Sequence, residues 1–170
     1  MTHNDFGRRT FVKAVGAGAL VASSGMASAA KPPATRFKTH LTGDEEVPDP
    51  VDTKAQGQAN FKLSKDGTAL SYKLNVANIE DVTMAHIHNA PAGENGVIVA
   101  WLYPDAPPMQ LIPGRTNGVL AEGTIVKDDL IGPLAGMQLS ALLEEMRAGN
   151  TYVNVHTTQH PGGEIRGQIS

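Results

Sequence analysis

The chain has 170 residues, a formal net charge of −3 and no cysteine. This length suits one domain with a single buried core. The lack of cysteine excludes disulfide bonds and thiolate ligands, so we expect any metal to be held by nitrogen and oxygen atoms. The weak negative charge, without basic clusters in the sequence, argues against nucleic acid and anionic lipid as partners.

The N-terminus has the pattern of an export signal. Arg8 and Arg9 precede a short apolar stretch at residues 14–22, and Ala27-Ser28-Ala29 forms an Ala-x-Ala cleavage site. The apolar stretch is shorter than the roughly 20 residues that span a bilayer, so we expect no stable membrane insertion. We therefore predict a twin-arginine signal peptide at residues 1–30.

A Pro-rich linker at residues 31–36 should follow the signal, and the folded domain should occupy residues 37–170. Export by the twin-arginine route would place this domain on the extracellular or cell-surface side of the membrane. Its partner should therefore be an extracellular ligand or protein.

Alternation of apolar and polar residues predicts strands through most of the domain. Asp66-Gly67 lies between two of them and predicts a β-hairpin. The segment 97–103 is apolar on both faces, which predicts a central strand. In chain order the predicted strands are 37–41, 59–63, 70–76, the His86-x-His88 segment, 97–103, 123–126, 151–157 and 164–169.

One helix is predicted at residues 140–147. Ser140 can cap its first turn, and Gly149 suits its C-terminal end. Many short strands with one short helix and frequent Gly/Pro turns predict an all-β fold. The expected architecture is an immunoglobulin-like or Greek-key β-sandwich, or a partly closed barrel.

Three histidines lie in strand-like segments that can converge on one point. His86 and His88 are two residues apart, so their side chains share one face of a strand. His156 lies on the polar face of the closing hairpin, opposite Val153 and Val155. If the two segments are neighbours, three ring nitrogens with an open position suit copper or zinc. The sequence therefore predicts a metal site formed by His86, His88 and His156.

Polar residues near His156 are candidates for a supporting role. Asn154, Glu164 and Arg166 lie on the polar face of the same hairpin, and Arg166 is a candidate for guiding an anion. Alternatively, Glu164 and Arg166 pair with each other at the surface, a contact worth roughly 0 to 1 kcal/mol. The alternative for the three histidines is a hydrogen-bonded structural role.

Other candidate sites are weaker. His40 and His160 are poorer ligand candidates, because one lies on an early strand and the other in a Gly/Pro turn. The acidic loop at residues 44–52 should be a solvated face, with weak calcium binding as the alternative. The sequence contains no Gly-x-Ser-x-Gly, phosphate-loop or dinucleotide-binding pattern, so we predict no catalytic residue.

Four ordered motifs resemble those of the CHRD domain, the module named from chordin. They are Leu41-Thr42-Gly43 with Glu46-Val47-Pro48, Ala85-His86-Ile87-His88 with Gly93 and Asn95-Gly96, the segment 149–157, and the segment 161–169. The resemblance covers nearly all of the predicted domain. It implies an immunoglobulin-like β-sandwich or barrel in a secreted protein and implies no particular activity.

A second resemblance is to copper-zinc superoxide dismutase, in which a His-x-His strand, a later histidine and an arginine surround copper. His86, His88, His156 and Arg166 are the matching positions. The sequence departs from that enzyme because it has no cysteine pair, no evident bridging histidine and no zinc loop. We therefore expect an exported, non-catalytic module that binds a protein, a surface polymer or a metal ion, the ion being copper or zinc held by the histidines. The alternative is a copper-dependent redox protein.

Overall fold

A computed structural model describes residues 33–170, and the predicted signal peptide lies outside these residues. No helix in the described part is long and apolar enough to cross a membrane. The elements in chain order are β1 (Arg36–Thr42), β2 (Gln56–Leu63), β3 (Leu70–Asn89), β4 (Val97–Tyr103), β5 (Ile112–Ile125), α1 (Leu139–Ala148), β6 (Thr151–Thr157) and β7 (Ile165–Gln168), with short 3-10 turns at Gly43–Glu45, Lys127–Asp129 and Gly132–Leu134.

Five strands close into a barrel. β1 pairs with β2 and β7, β7 pairs with β6, β6 pairs with β3, and β3 pairs with β2, all antiparallel. β4 and β5 lie outside this ring and each pairs with β3. The predicted all-β, barrel-like fold with one short helix is therefore confirmed.

β3 closes the ring because its 20 residues pair with two neighbours in turn. Residues 70–77 pair with β2, and residues 82–89 pair with β6. Between these halves, Asn78 and Asp81 have φ angles of 56° and 52°. Asn and Asp tolerate this left-handed conformation better than most residues, so the strand bends here. The bend brings the His86-x-His88 segment alongside β6.

The strand patterns predicted some elements well and others poorly. The Asp66-Gly67 hairpin is confirmed, since it joins β2 to β3 and Gly67 has a φ of 76°. β5 begins 11 residues before the predicted strand 123–126. Its first part is polar and contains Gly114 and Gly118, both with positive φ, so it lacks the alternation that predicts a strand.

The prediction that β4 is a central strand is wrong, because β4 lies at the end of the sheet and pairs with β3. Its other edge is covered by irregular chain: the Ile131 N–H donates to the Val99 carbonyl at 3.0 Å. Leu134, which follows, is buried in the core. This cover explains why β4 is apolar although no strand of residues 33–170 lies beyond it.

The helix is found close to its predicted position, but its cap differs. α1 begins at Leu139, and Gln138 occupies the N-cap without a side-chain hydrogen bond. The predicted Ser140 cap is therefore wrong. Gly149 ends the helix with a φ of 74°, and its N–H donates to the Met146 carbonyl at 3.2 Å. The C-terminal prediction is thus confirmed.

β6 is buried along its whole length. Val153 and Val155 pack into the apolar core inside the barrel. Tyr152, Asn154 and His156 alternate with them, so they point to the outer face, and they are buried too. Loops must therefore cover the outer face of β6, and a covered polar face is where a binding site can form.

Candidate metal centre

Three neighbouring strands place the candidate ligands on one buried polar face. β6 lies between β3 and β7. Met84 is opposite His156, and His86 is opposite Asn154, across the β3–β6 pair. Asn154 is in turn opposite Arg166 across the β6–β7 pair. Directly opposed residues point to the same side of a sheet, so these five side chains share the outer face.

The three predicted ligands form one cluster of ring nitrogens. One ring nitrogen from each of His86, His88 and His156 lies within 4.8 Å of the other two. The Nδ1 of His86 is 3.3 Å from the Nε2 of His156. Two nitrogens bound at 2.0–2.1 Å to one tetrahedral ion lie about 3.3 Å apart. This pair therefore already has the separation of two ligands, and His88 needs a small movement to join them.

Backbone carbonyls fix the orientation of two of these rings. His88 Nδ1 is 2.9 Å from the Gly96 carbonyl, and His156 Nδ1 is 3.0 Å from the Pro161 carbonyl. A carbonyl only accepts, so each Nδ1 carries the proton and each Nε2 keeps a free lone pair. Such hydrogen bonds to the non-ligating nitrogen are typical of metal-bound histidines.

Two of the imidazole nitrogens are buried without a hydrogen-bond partner. They are the Nε2 atoms of His86 and His88. A buried polar atom without a partner costs roughly 1–3 kcal/mol. For His88, a metal ion at the shared point would supply the missing partner.

Burial keeps these imidazoles neutral. Burial, with the neighbouring histidines, lowers the pKa of His86 from 6.5 to about 3. Burial also lowers the pKa of His156 to about 4, although the Pro161 carbonyl opposes this shift. The pKa of His88 is lowered for the same main reason. At neutral pH each ring therefore offers a lone pair, as metal binding requires.

Aromatic rings and a guanidinium group form the wall of the site. Tyr152 stacks on His88, with ring centroids 4.8 Å apart and planes 8° from parallel. The guanidinium carbon of Arg166 lies 3.5 Å from the centroid of the Tyr152 ring, a cation–π contact. On β4, Trp101 lies edge to face with His86 at a centroid distance of 4.2 Å. These contacts limit the movement of the two β3 histidines.

Arg166 and Glu164 are both buried and do not form the surface pair considered above. Arg166 donates to the Glu94 carbonyl at 2.7 Å and to Asn95 Oδ1 at 3.1 Å. Glu164 accepts a hydrogen bond from Thr157 Oγ1 at 2.8 Å. No ion pair within residues 33–170 joins the two side chains. Arg166 thus anchors the β3–β4 loop, which also supplies the carbonyl that orients His88.

A buried carboxyl group lies beside Asn154. Glu46 is 6% exposed, and its Oε2 accepts a hydrogen bond from Asn154 Nδ2 at 3.3 Å. Glu46 Oε1 and Asn154 Oδ1 are both buried acceptors without a partner. A Cβ at Gly163 would contact both groups, so they lie close together. A proton on Glu46 would provide the donor that these two oxygens lack.

The pKa of Glu46 agrees with this interpretation. Burial raises it from 4.5 to about 7, although the Asn154 hydrogen bond and the charge of Arg166 act in the opposite direction. The expectation that the acidic loop 44–52 is solvated is therefore wrong for Glu46. The loop folds over the outer face of β6 and places the Glu46 side chain beside Asn154, which is opposite His86.

Sequence reasoning missed Glu46, Tyr152 and Met84 as parts of this site. Met84 is half-buried and precedes His86 by two residues, so strand parity alone places it on the histidine face. The weaker candidates lie elsewhere: His40 is exposed and His160 half-buried. Neither belongs to the histidine cluster found in the described part of the chain.

Comparison with known proteins identifies the domain. A family model described as the CHRD domain matches residues 37–169, which is well over half of the chain. No curated protein matches the chain, and no solved structure does. The protein therefore belongs to the CHRD domain family.

Proposed function

We propose that this CHRD domain is an exported binding module that holds one transition-metal ion, copper or zinc, through His86, His88 and His156. The observation that supports it best is the set of three neutral, buried imidazoles whose ligand atoms lie within 4.8 Å of one another. Export is supported by the twin-arginine pattern and the Ala-x-Ala site at the N-terminus.

A purely structural role for the three histidines leaves a buried ring nitrogen unexplained. The 3.3 Å separation of His86 Nδ1 and His156 Nε2 also fits a hydrogen bond between the rings. That bond would leave His88 Nε2 buried without a partner. Metal binding uses His86 Nδ1 together with the two free Nε2 atoms. It therefore gives the lone pair of each ring the same partner.

Met84 favours copper over zinc. It lies directly opposite His156 and on the same face of the sheet. Cβ atoms of such a cross-strand pair are about 4.5–5.5 Å apart, which is within reach of a methionine side chain. A thioether is a soft ligand that selects Cu(I), whereas zinc is satisfied by nitrogen alone.

Calorimetric titration of untagged protein with copper and with zinc tests the proposal. We expect one equivalent to bind, and we expect His86→Ala or His156→Ala to weaken binding at least tenfold. The matched control is His40→Ala, because His40 is an exposed histidine outside the cluster. Circular dichroism should show that each variant keeps the fold. Unchanged binding in both cluster variants, or equal loss in His40→Ala, would contradict the proposal.

The redox alternative has one supporting observation, namely three nitrogen ligands that leave a coordination position open. The proposed anion-guiding role of Arg166 has less support, because its guanidinium donates to Glu94 and Asn95 and stacks on Tyr152. The copper-loaded protein can be assayed for superoxide dismutation. Activity abolished by His156→Ala would favour the redox alternative, and its absence would leave a binding module.

A further inference from the structure

A second feature lies on different strands, on the outer face of β1, β2 and the first half of β3. Arg36 is directly opposite Lys62, while Lys38 and Lys73 are both opposite Asn60. Opposed residues share a face, so the four cations form one patch. We call Arg36, Lys38, Lys62 and Lys73 the basic face. These residues come from three strands, so they form no basic cluster in the sequence.

The basic face carries an electrostatic cost. Like charges directly opposite each other in a sheet destabilise it, and Arg36 and Lys62 are such a pair. Within residues 33–170, the only ion pair that any of the four makes joins Lys73 to Glu122 at 3.3 Å. That pair is about half exposed on both sides, so it offsets little of the repulsion. An external anion would remove this cost.

The basic face is concave. It borders an open groove of about 530 Å³ that is lined by the four cations, by Asn60, Ser71 and Ser170, and by Phe37, Phe61 and Tyr72, with no Asp or Glu side chain in the lining. The aromatic residues that alternate with the cations, such as Phe37 and Phe61, point into the barrel core. Although they line the groove, these rings and that of Tyr72 are at most 7% exposed. The groove therefore offers cations, polar groups and some apolar surface, but no exposed ring on which a nucleic-acid base could stack.

We propose that the basic face binds a linear anionic polysaccharide. A concave groove can receive a single chain, whereas a lipid bilayer presents a broad surface that cannot enter it. Cations on alternate residues of a strand are about 7 Å apart, and neighbouring strands are about 4.8 Å apart. This spacing lets repeated carboxylate or sulfate groups contact several cations at once. The site uses none of the residues of the metal centre.

Binding of the full-length chain to dextran sulfate and to polygalacturonate at low salt tests the proposal, with neutral dextran as the uncharged probe. We expect both anionic polymers to bind and neutral dextran not to bind. Affinity should fall steeply with salt, since binding releases counterions. The double substitution Arg36→Gln with Lys62→Gln should weaken binding at least tenfold. Its metal affinity should stay unchanged, which separates this test from that of the histidine site.

The matched control is Arg115→Gln with Lys127→Gln, which removes one arginine and one lysine that are exposed elsewhere. Equal loss in this control would overturn the proposal, because net charge alone would then explain binding. Failure of both polymers to bind at low salt would also overturn it. So would tighter binding to single-stranded DNA or to vesicles containing anionic lipid. Because an opposed pair of like charges is removed, the test variant should unfold at the same temperature as the parent or above it.

Discussion

The orientation of His88 depends on the backbone carbonyl of Gly96, to which its Nδ1 donates. Gly96 can approach the end of β3 because it has no side chain: a Cβ there would overlap the Asn89 carbonyl. The Gly96 N–H also donates to the Tyr152 hydroxyl at 3.1 Å. One small residue thus holds both the ring of His88 and the ring stacked on it.

Gly96→Ala should therefore weaken metal binding as well as stability. The loop must move to admit the methyl group, and the carbonyl that fixes the His88 tautomer moves with it. We expect a loss of about tenfold or more in metal affinity, measured by calorimetric titration. The control is Gly162→Ala, because a Cβ at Gly162 meets no atom and its φ is not positive. Equal effects of the two substitutions would contradict this account.

Glu46 should control how stability varies at higher pH. Its pKa is raised from 4.5 when unfolded to about 7 when folded. The folded state therefore holds the proton more tightly, and the stabilisation present below pH 4.5 is lost as the pH rises through about 7. Glu46→Gln keeps a donor but cannot ionise.

Urea unfolding at pH 5 and pH 8 measures this effect. The parent should lose stability from pH 5 to pH 8 as Glu46 ionises, and Glu46→Gln should lack this loss. The change in unfolding free energy over this pH range should therefore be on the order of 2 kcal/mol more favourable in Glu46→Gln than in the parent. Glu45→Gln, at the neighbouring exposed residue, is the control and should show no such gain. A parallel pH dependence in Glu46→Gln and the parent would show that Glu46 is ionised throughout.

At the level of elements, the two ends of α1 are built differently. Gly149 has a φ of 74°, a conformation that costs a residue with a side chain about 1 kcal/mol. Ser140 lies inside the helix and does not occupy the cap position. Gly149→Ala should therefore lower the unfolding free energy by about 1 kcal/mol, while Ser140→Ala should change it little. Thermal or urea unfolding measures both effects. If Ser140→Ala lowered the unfolding free energy more than Gly149→Ala does, Ser140 would cap the helix as the sequence predicted.

The strands were predictable where one face is buried and the other is solvated. β1 and β2 alternate between the core and water, and their sequences alternate accordingly. The closure of the barrel was not predictable, because it depends on the bend of β3 between Asn78 and Asp81. The position of β4 was predicted wrongly because a strand whose edge is covered by irregular chain is as apolar as one that lies between two strands.

The elements that carry the resemblance to the CHRD domain meet at the histidine site. Glu46 comes from the first motif, His86 and Gly96 from the second, Asn154 from the third and Arg166 from the fourth. Parity predicted that His86 and His88 face alike and that His156 lies on the polar face of its hairpin. The adjacency of β3 and β6, which brings the three rings together, is a property of the fold. The burial of Glu46 depends on a loop distant in sequence, which no local pattern reveals.

For the whole molecule, the three buried histidines should make the metal-free domain sensitive to acid. Their folded pKa values lie below 6.5, at about 3 for His86 and about 4 for His156. The unfolded chain therefore takes up protons first, and stability is lost as the pH falls from about 6.5 toward 4. Each group contributes at most about 1.4 kcal/mol per pH unit.

Urea unfolding of metal-free protein between pH 7 and pH 5 measures this loss. Glu46 acts in the opposite direction over much of this range, because its folded pKa is raised. The stability lost through the three histidines should exceed the stability gained through Glu46. We therefore expect a net fall in the unfolding free energy from pH 7 to pH 5. His40→Ala, outside the cluster, should leave the slope unchanged, whereas His86→Ala should reduce it. A flat profile would mean that the buried rings are protonated as readily as those of the unfolded chain.

Anomalous X-ray diffraction from crystals of the protein loaded with copper tests most directly whether the three histidines hold a metal ion. We expect one anomalous peak at about 2.0–2.1 Å from His86 Nδ1, His88 Nε2 and His156 Nε2. A peak at His40 or in the acidic loop, with none between the three histidines, would show that these histidines do not form the metal site.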